Sequence, residues 1–123
     1  FAEAYLNKGL TLYNMKKYEE ANYNYDKAIH YDKHLASAYN NKGNCFERME
    51  KYWDALDAFT AAIRIEPNYI DAYINKGTCF KKLNKFEDAL NEYDKALKIK
   101  PDYANGYFNK GLIYILFITN INF

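Results

Sequence analysis

With 123 residues the chain has the length of about one domain. Half of it is hydrophobic and 19% is aromatic, enough to bury a core, which excludes an intrinsically disordered chain. Seventeen basic against sixteen acidic side chains leave a formal charge of +1, so no global field directs the protein to nucleic acid or to an anionic membrane.

The first element carries Tyr5 and Gly9 on one helical face and contains the triplet Asn7-Lys8-Gly9. A polar joint, Lys16-Lys17, separates it from a second helical run with Tyr18, Ala21, Tyr25 and Ala28. The pattern then restarts. Tyr39 and Gly43 precede the joint Glu50-Lys51, and Tyr52, Ala55, Phe59 and Ala62 follow, ending at Pro67. A third pass gives Tyr73, Gly77, the joint Asn84-Lys85, then Phe86, Ala89, Tyr93, Ala96 and Pro101. Tyr107 and Gly111 open a fourth. The Asn-Lys-Gly triplet returns at Asn41, Asn75 and Asn109, a step of 34 residues each time. The repeats are 2–35, 36–69, 70–103 and a partial 104–123, read as a single domain over 1–123.

The joints are too short for anything but turns between antiparallel helices. Proline disfavours helix at the residue before it, so Pro67 and Pro101 mark the ends of units. Glycine inside a helix costs about 0.5–1 kcal/mol relative to alanine. Its return at repeat position 8 implies that a close approach of two helices offsets that cost. Cys45 and Cys79 occupy one repeat position in neighbouring units. Helices pack about 8–10 Å apart, beyond the roughly 7 Å Cα limit of a disulfide. Two reduced, packed thiols fit an intracellular, cytoplasmic protein. No signal peptide precedes the repeats, and the chain opens without Met inside a repeat, as an excised or processed fragment would.

These residues resemble the tetratricopeptide repeat family. The aromatic and Gly of each first helix, the Tyr/Phe-x₂-Ala and aromatic-x₂-Ala of each second helix and the closing Pro stand in family register through repeats 2 and 3. Repeat 1 has Lys33 in place of the Pro, and repeat 4 matches through its first helix. The resemblance implies an all-α fold, an α-solenoid of antiparallel helix pairs in a right-handed superhelix. It also implies a concave groove, lined by the first helices, that binds a protein segment. Fold alone does not name the ligand.

At 100° per residue, repeat positions 4, 8 and 11 of a first helix share the packing face. Positions 2, 5, 6, 9, 12 and 13 turn to the opposite side, the groove that the resemblance implies. Asn7, Asn41, Asn75 and Asn109 at position 6 would form a ladder of carboxamides. Each offers a donor and an acceptor and can pair bidentately with a peptide unit. Asn40 at position 5 and Asn44 at position 9 extend the strip. Arg48, Lys81 and Lys82 make a basic spot between apolar ends. Lysine at position 7, where the family usually has Leu, lies inside the packing arc and is expected to lay its stem over neighbouring aromatics while the ammonium reaches the edge.

One subgroup of the family clamps the C-terminal carboxylates of chaperones. Its pattern would require cations where this chain has Leu6, Asp71 and Asn75; of the clamp positions only Asn41 agrees. Framing the clamp on repeat 2 supplies Asn40, Asn44, Asn75, Asn105 and Asn109 but leaves the cationic places empty. A co-chaperone role would therefore be a non-standard one.

No nucleophile–base constellation or phosphate loop occurs, so no enzyme and no cofactor is expected. His30 and His34 straddle a helix end without a third ligand, and no metal site is read from them. The stretch from Gly111 to Phe123 is apolar on nearly every face but short of the 18 or so residues that span a bilayer. A terminal repeat normally shows a polar outer face. Ile115, Leu116, Phe117 and Ile118 are therefore an expected interface, covered by further chain or by a second copy in a homodimer. The sequence thus points to an adaptor whose partner is a protein or peptide segment, with a self-assembling helical-repeat fragment as the alternative.

Overall fold

The computed structural model describes residues 1–102 and 110–111. Among them are six helices and no strand: α1 (Ala2–Asn14), α2 (Tyr18–Tyr31), α3 (Ala36–Arg48), α4 (Tyr52–Ile65), α5 (Ile70–Lys82) and α6 (Phe86–Ile99). The chain divides into two compact units after Pro67. In the first, α1 packs on α2, α2 on α3 and α3 on α4; in the second, α5 packs on α6.

The joints turn the chain as expected, and by one device. Lys16, Glu50 and Asn84 adopt left-handed backbone, with φ of 63°, 60° and 61°. The next N–H in each case, of Lys17, Lys51 and Lys85, donates back to the carbonyl of Leu12, Phe46 and Phe80 at 2.9, 2.8 and 2.8 Å. These bonds satisfy carbonyls that a helix end leaves open. Contacts then descend the pair in opposite order: Tyr13 meets Tyr18 edge-on, Gly9 faces Tyr25, and Tyr5 stacks on Tyr31. That is an antiparallel pair.

The second helices end in extended residues, Glu66 and Lys100, immediately before Pro67 and Pro101. Repeat 1 ends the same way at Asp32 without a proline. There the Asp32 carboxylate accepts the His34 N–H at 3.0 Å, a side-chain turn that replaces the imino acid.

Each glycine at position 8 of a complete repeat serves as the joint between paired helices. A Cβ on Gly9 would fall 2.5 Å from Cε1 of Tyr25. On Gly43 and Gly77 it would meet Phe59 and Tyr93 in the same way. All three rings are fully buried. Glycine is present for space and not for backbone freedom, since none has positive φ. In the first unit Ala21, Tyr25 and Cys45 form a core cluster flanked by Leu6, Leu12 and Tyr13. In the second, Ile74, Ala89, Tyr93 and Ala96 do so. Cys45 and Cys79 are free and buried.

Candidate functional site

Three helices of the first unit border a half-open cavity of about 140 Å³. Leu10, Tyr13 and Asn14 come from α1, Asn41 and Asn44 from α3, and Tyr25 from α2. The last turn of α1 sets the first three on one face at i, i+3 and i+4 spacing, and Asn41 and Asn44 sit three apart on α3. Three carboxamides, two phenols and an aliphatic side chain thus converge. Tyr13 is held at the rim, where its hydroxyl accepts a hydrogen bond from Nε of Arg48 at 3.2 Å.

Tyr25 supplies a group that sequence reasoning passed over. Its ring fills the space beside Gly9, and its hydroxyl is buried with no hydrogen-bond partner among the described residues. Burial pushes its pKa well above the ordinary tyrosine range, with Cys45 and Tyr13 adding to the effect. The equivalent Tyr93 is satisfied: Thr78 donates to the Ile74 carbonyl at 3.1 Å, which leaves its oxygen to accept from the Tyr93 hydroxyl at 3.3 Å. In repeat 1 the residue in the place of Thr78 is Leu10, and in repeat 2 the corresponding pair is Asn44 and a phenylalanine, Phe59. Reading positions 9 and 24 together would have exposed the mismatch.

The proposed ladder is distributed as follows. Asn7 is exposed on α1 and Asn41 half-buried on α3, both in the first unit; Asn75 is half-buried on α5 in the second. Asn109 lies outside the described residues, as do Ile115, Leu116, Phe117 and Ile118. Asn44 borders the cavity, whereas Asn40 is only 6% exposed. Position 5 stands one turn before the packed glycine, so it shares the packing face more than a single-partner projection suggests. Ile74, at the same position, is buried in the α5–α6 core. Arg48 falls in the first unit, Lys81 and Lys82 in the last turn of α5 in the second.

The position-7 lysines do more than cover aromatics. The Lys42 ammonium does lie 5.9 Å from the centre of the Phe46 ring, but it ends 2.7 Å from Asp26 on α2 of the preceding repeat. Lys110 repeats this bond with Asp94 at 2.6 Å. Repeat 2 has Thr60 in the corresponding place. Lys76 pairs with Glu92 of its own repeat at 3.6 Å, a buried carboxylate that Lys95 also approaches at 3.3 Å.

His30 packs edge-on against Tyr31. Among the described residues no group of three His, Cys, Asp or Glu side chains is placed to hold a metal ion. No helix among them is long and apolar enough to cross a membrane.

Family models described as tetratricopeptide repeats match residues 2–34, 36–69 and 58–91, and one described as a TPR repeat matches 77–115. The chain belongs to the tetratricopeptide repeat family. Its fold is the all-α helix-pair solenoid of tetratricopeptide domains. Among solved structures it is similar to the first tetratricopeptide domain of human RPAP3, with 23% identity, a TM-score of 0.92, and coverage of 98% of this chain and 95% of that one. The first such domain of Spaghetti (RPAP3), solved with the HSP90 peptide SRMEEVD, gives 23% identity and a TM-score of 0.89 over 95% and 93% of the two chains. MamA gives 27% identity and a TM-score of 0.86 over 92% of this chain and 66% of that one. No curated protein matches the sequence.

Proposed function

We propose that this tetratricopeptide chain is a non-catalytic scaffold that holds an extended segment of another protein along the open faces of its first helices. The cavity between α1 and α3, lined by Asn14, Asn41 and Asn44, is the observation that carries the reading. Carboxamides donate and accept at once, so Asn41 and its equivalents Asn7, Asn75 and Asn109 suit a peptide backbone. The similar Spaghetti domain holds an acidic peptide. This chain has Leu6, Asp71 and Asn75 where a carboxylate clamp has cations, so the segment is held by its backbone and not by terminal carboxylates. The two buried thiols suit a reducing, intracellular compartment.

An array of capped peptides tests the reading, probed with the wild-type chain and with Asn41→Ala, Asn75→Ala. Two lost amide contacts at about 1 kcal/mol each predict a loss of affinity of tenfold or more, with little change in melting temperature. Equal binding by the double variant would remove the asparagines from the mechanism. An array without any bound peptide would remove the scaffold reading itself.

A further inference from the structure

We infer that the α1–α3 cavity is a side-chain subsite that accepts a carboxamide, that of a glutamine or asparagine in the bound segment, with Tyr25 as its hidden hydrogen-bond donor. The inference rests on the peptide-holding reading above and adds a specificity to it.

Three observations converge. The first is the orphaned phenol. Tyr25 is 0% exposed, it borders the cavity, and its hydroxyl has no partner among the described residues. A buried polar group without a partner is rare and calls for a cause. The same residue in repeat 3 is satisfied by Thr78. The chain has therefore placed Leu10 where a hydroxyl would have closed the bond. By the reach of Tyr93 to Thr78, the Tyr25 hydroxyl points toward Leu10, another wall of the cavity. Leu10 is 38% exposed and is the side chain an occupant displaces to reach the phenol.

The second is size. At about 140 Å³ the cavity exceeds a single water several-fold and approaches the volume that admits a benzene ring. A propionamide-sized group fits.

The third is charge. None of the six lining residues is an acidic or basic one. Arg48 stands outside the lining and spends its Nε on Tyr13. A carboxylate entering the cavity would lose its hydration without gaining a direct cation, a poor exchange. An aliphatic side chain would leave the phenol as unsatisfied as before. A carboxamide accepts from the Tyr25 hydroxyl with its oxygen and engages the amides of Asn14, Asn41 and Asn44 with both ends. Burial keeps Tyr25 protonated and so able to donate.

Tyr25→Phe is the decisive variant, because repeat 2 already carries Phe59 against Gly43 in the same place. A melting curve confirms that it folds. Propionamide is titrated into ¹⁵N-labelled wild-type and Tyr25→Phe protein while the side-chain amide signals of Asn14, Asn41 and Asn44 are followed, with sodium propionate and isobutanol as rivals. The expected result is selective, saturable shifts with propionamide that weaken about fivefold in Tyr25→Phe, the loss of one hydrogen bond. No shift with propionamide, equal shifts in the variant, or stronger binding of propionate or isobutanol would each overturn the inference. A positional-scanning library of capped peptides gives the second arm. It is expected to show a Gln or Asn preference at one position, lost in Tyr25→Phe. Binding of peptides with no such preference would reject the subsite while leaving the scaffold reading intact. Propionamide saturation with no peptide bound would do the reverse.

Discussion

A methyl group on Gly43 would run into the ring of Phe59, which is fully buried and has no room to move. Gly43→Ala gains helix propensity of about 0.5–1 kcal/mol. It incurs overpacking of about 1–3 kcal/mol. The net expectation is a loss of about 1–2 kcal/mol in urea unfolding. On Gly111 the same added carbon would have nothing within 4 Å among the described residues, so Gly111→Ala should be neutral or slightly stabilising. Equal effects at the two sites would show that steric fit is not what retains the glycine.

Asn22 marks a correctable defect. It is 8% exposed, and its side-chain oxygen has no partner among the described residues. Repeats 2 and 3 place Leu56 and Leu90 there. Asn22→Leu removes an unsatisfied acceptor, a penalty of about 1–3 kcal/mol, and adds apolar burial. Thermal unfolding should rise by several degrees, as about 1–2 kcal/mol does in a domain of this size. A fall would mean that the carboxamide is satisfied in solution by water.

The equivalent lysines should differ in worth. Asp26 is 60% exposed, so Lys42→Met removes a solvent-screened pair and costs under about 1 kcal/mol. Glu92 is 7% exposed in its side chain, so Lys76→Met strands a buried carboxylate. Full exposure of such a charge to an apolar surround costs about 3–5 kcal/mol, and Lys95, still within 3.3 Å, reduces that to about 2. Denaturation of the two variants side by side checks the order.

Alkali should loosen the first unit. Burial pushes the Cys45 thiol from 9.0 up to about 12. The folded state therefore holds a proton that the unfolded chain releases. Its contribution to stability is complete below pH 9 and is lost as pH rises from there through about 12. The urea midpoint should fall with pH across that window, and Cys45→Ala should flatten the slope even if it lowers the baseline. An unchanged slope in the variant would remove Cys45 as the cause.

Periodicity carried most of the fold. The 34-residue step located Gly9, Gly43 and Gly77, where a facing ring leaves no room for a side chain, and the joints at Lys16, Glu50 and Asn84, which differ in side chain but recur as short polar breaks between helical runs. The candidate site was less legible. Asn41 and Asn44 follow from the helical projection, but Asn40 does not, since a projection knows angle and not how far the partner helix wraps around. The Lys42–Asp26 bond was missed because its partners belong to different repeats. The orphaned Tyr25 hydroxyl was missed because its meaning lies in a comparison: a tyrosine at position 24 is ordinary until position 9 is read with it and found to be Leu10.

The ionic pattern has a consequence for how such a chain is spelled. Exchanging the first two repeats would preserve every glycine and every ring that the core requires. It would also set Lys8 after Thr60 and bring Asp26 before Lys76, which now pairs with Glu92, so the ion pair would change partners. The apolar positions are thus interchangeable words, while the charged ones act as punctuation that shifts when the order of repeats changes.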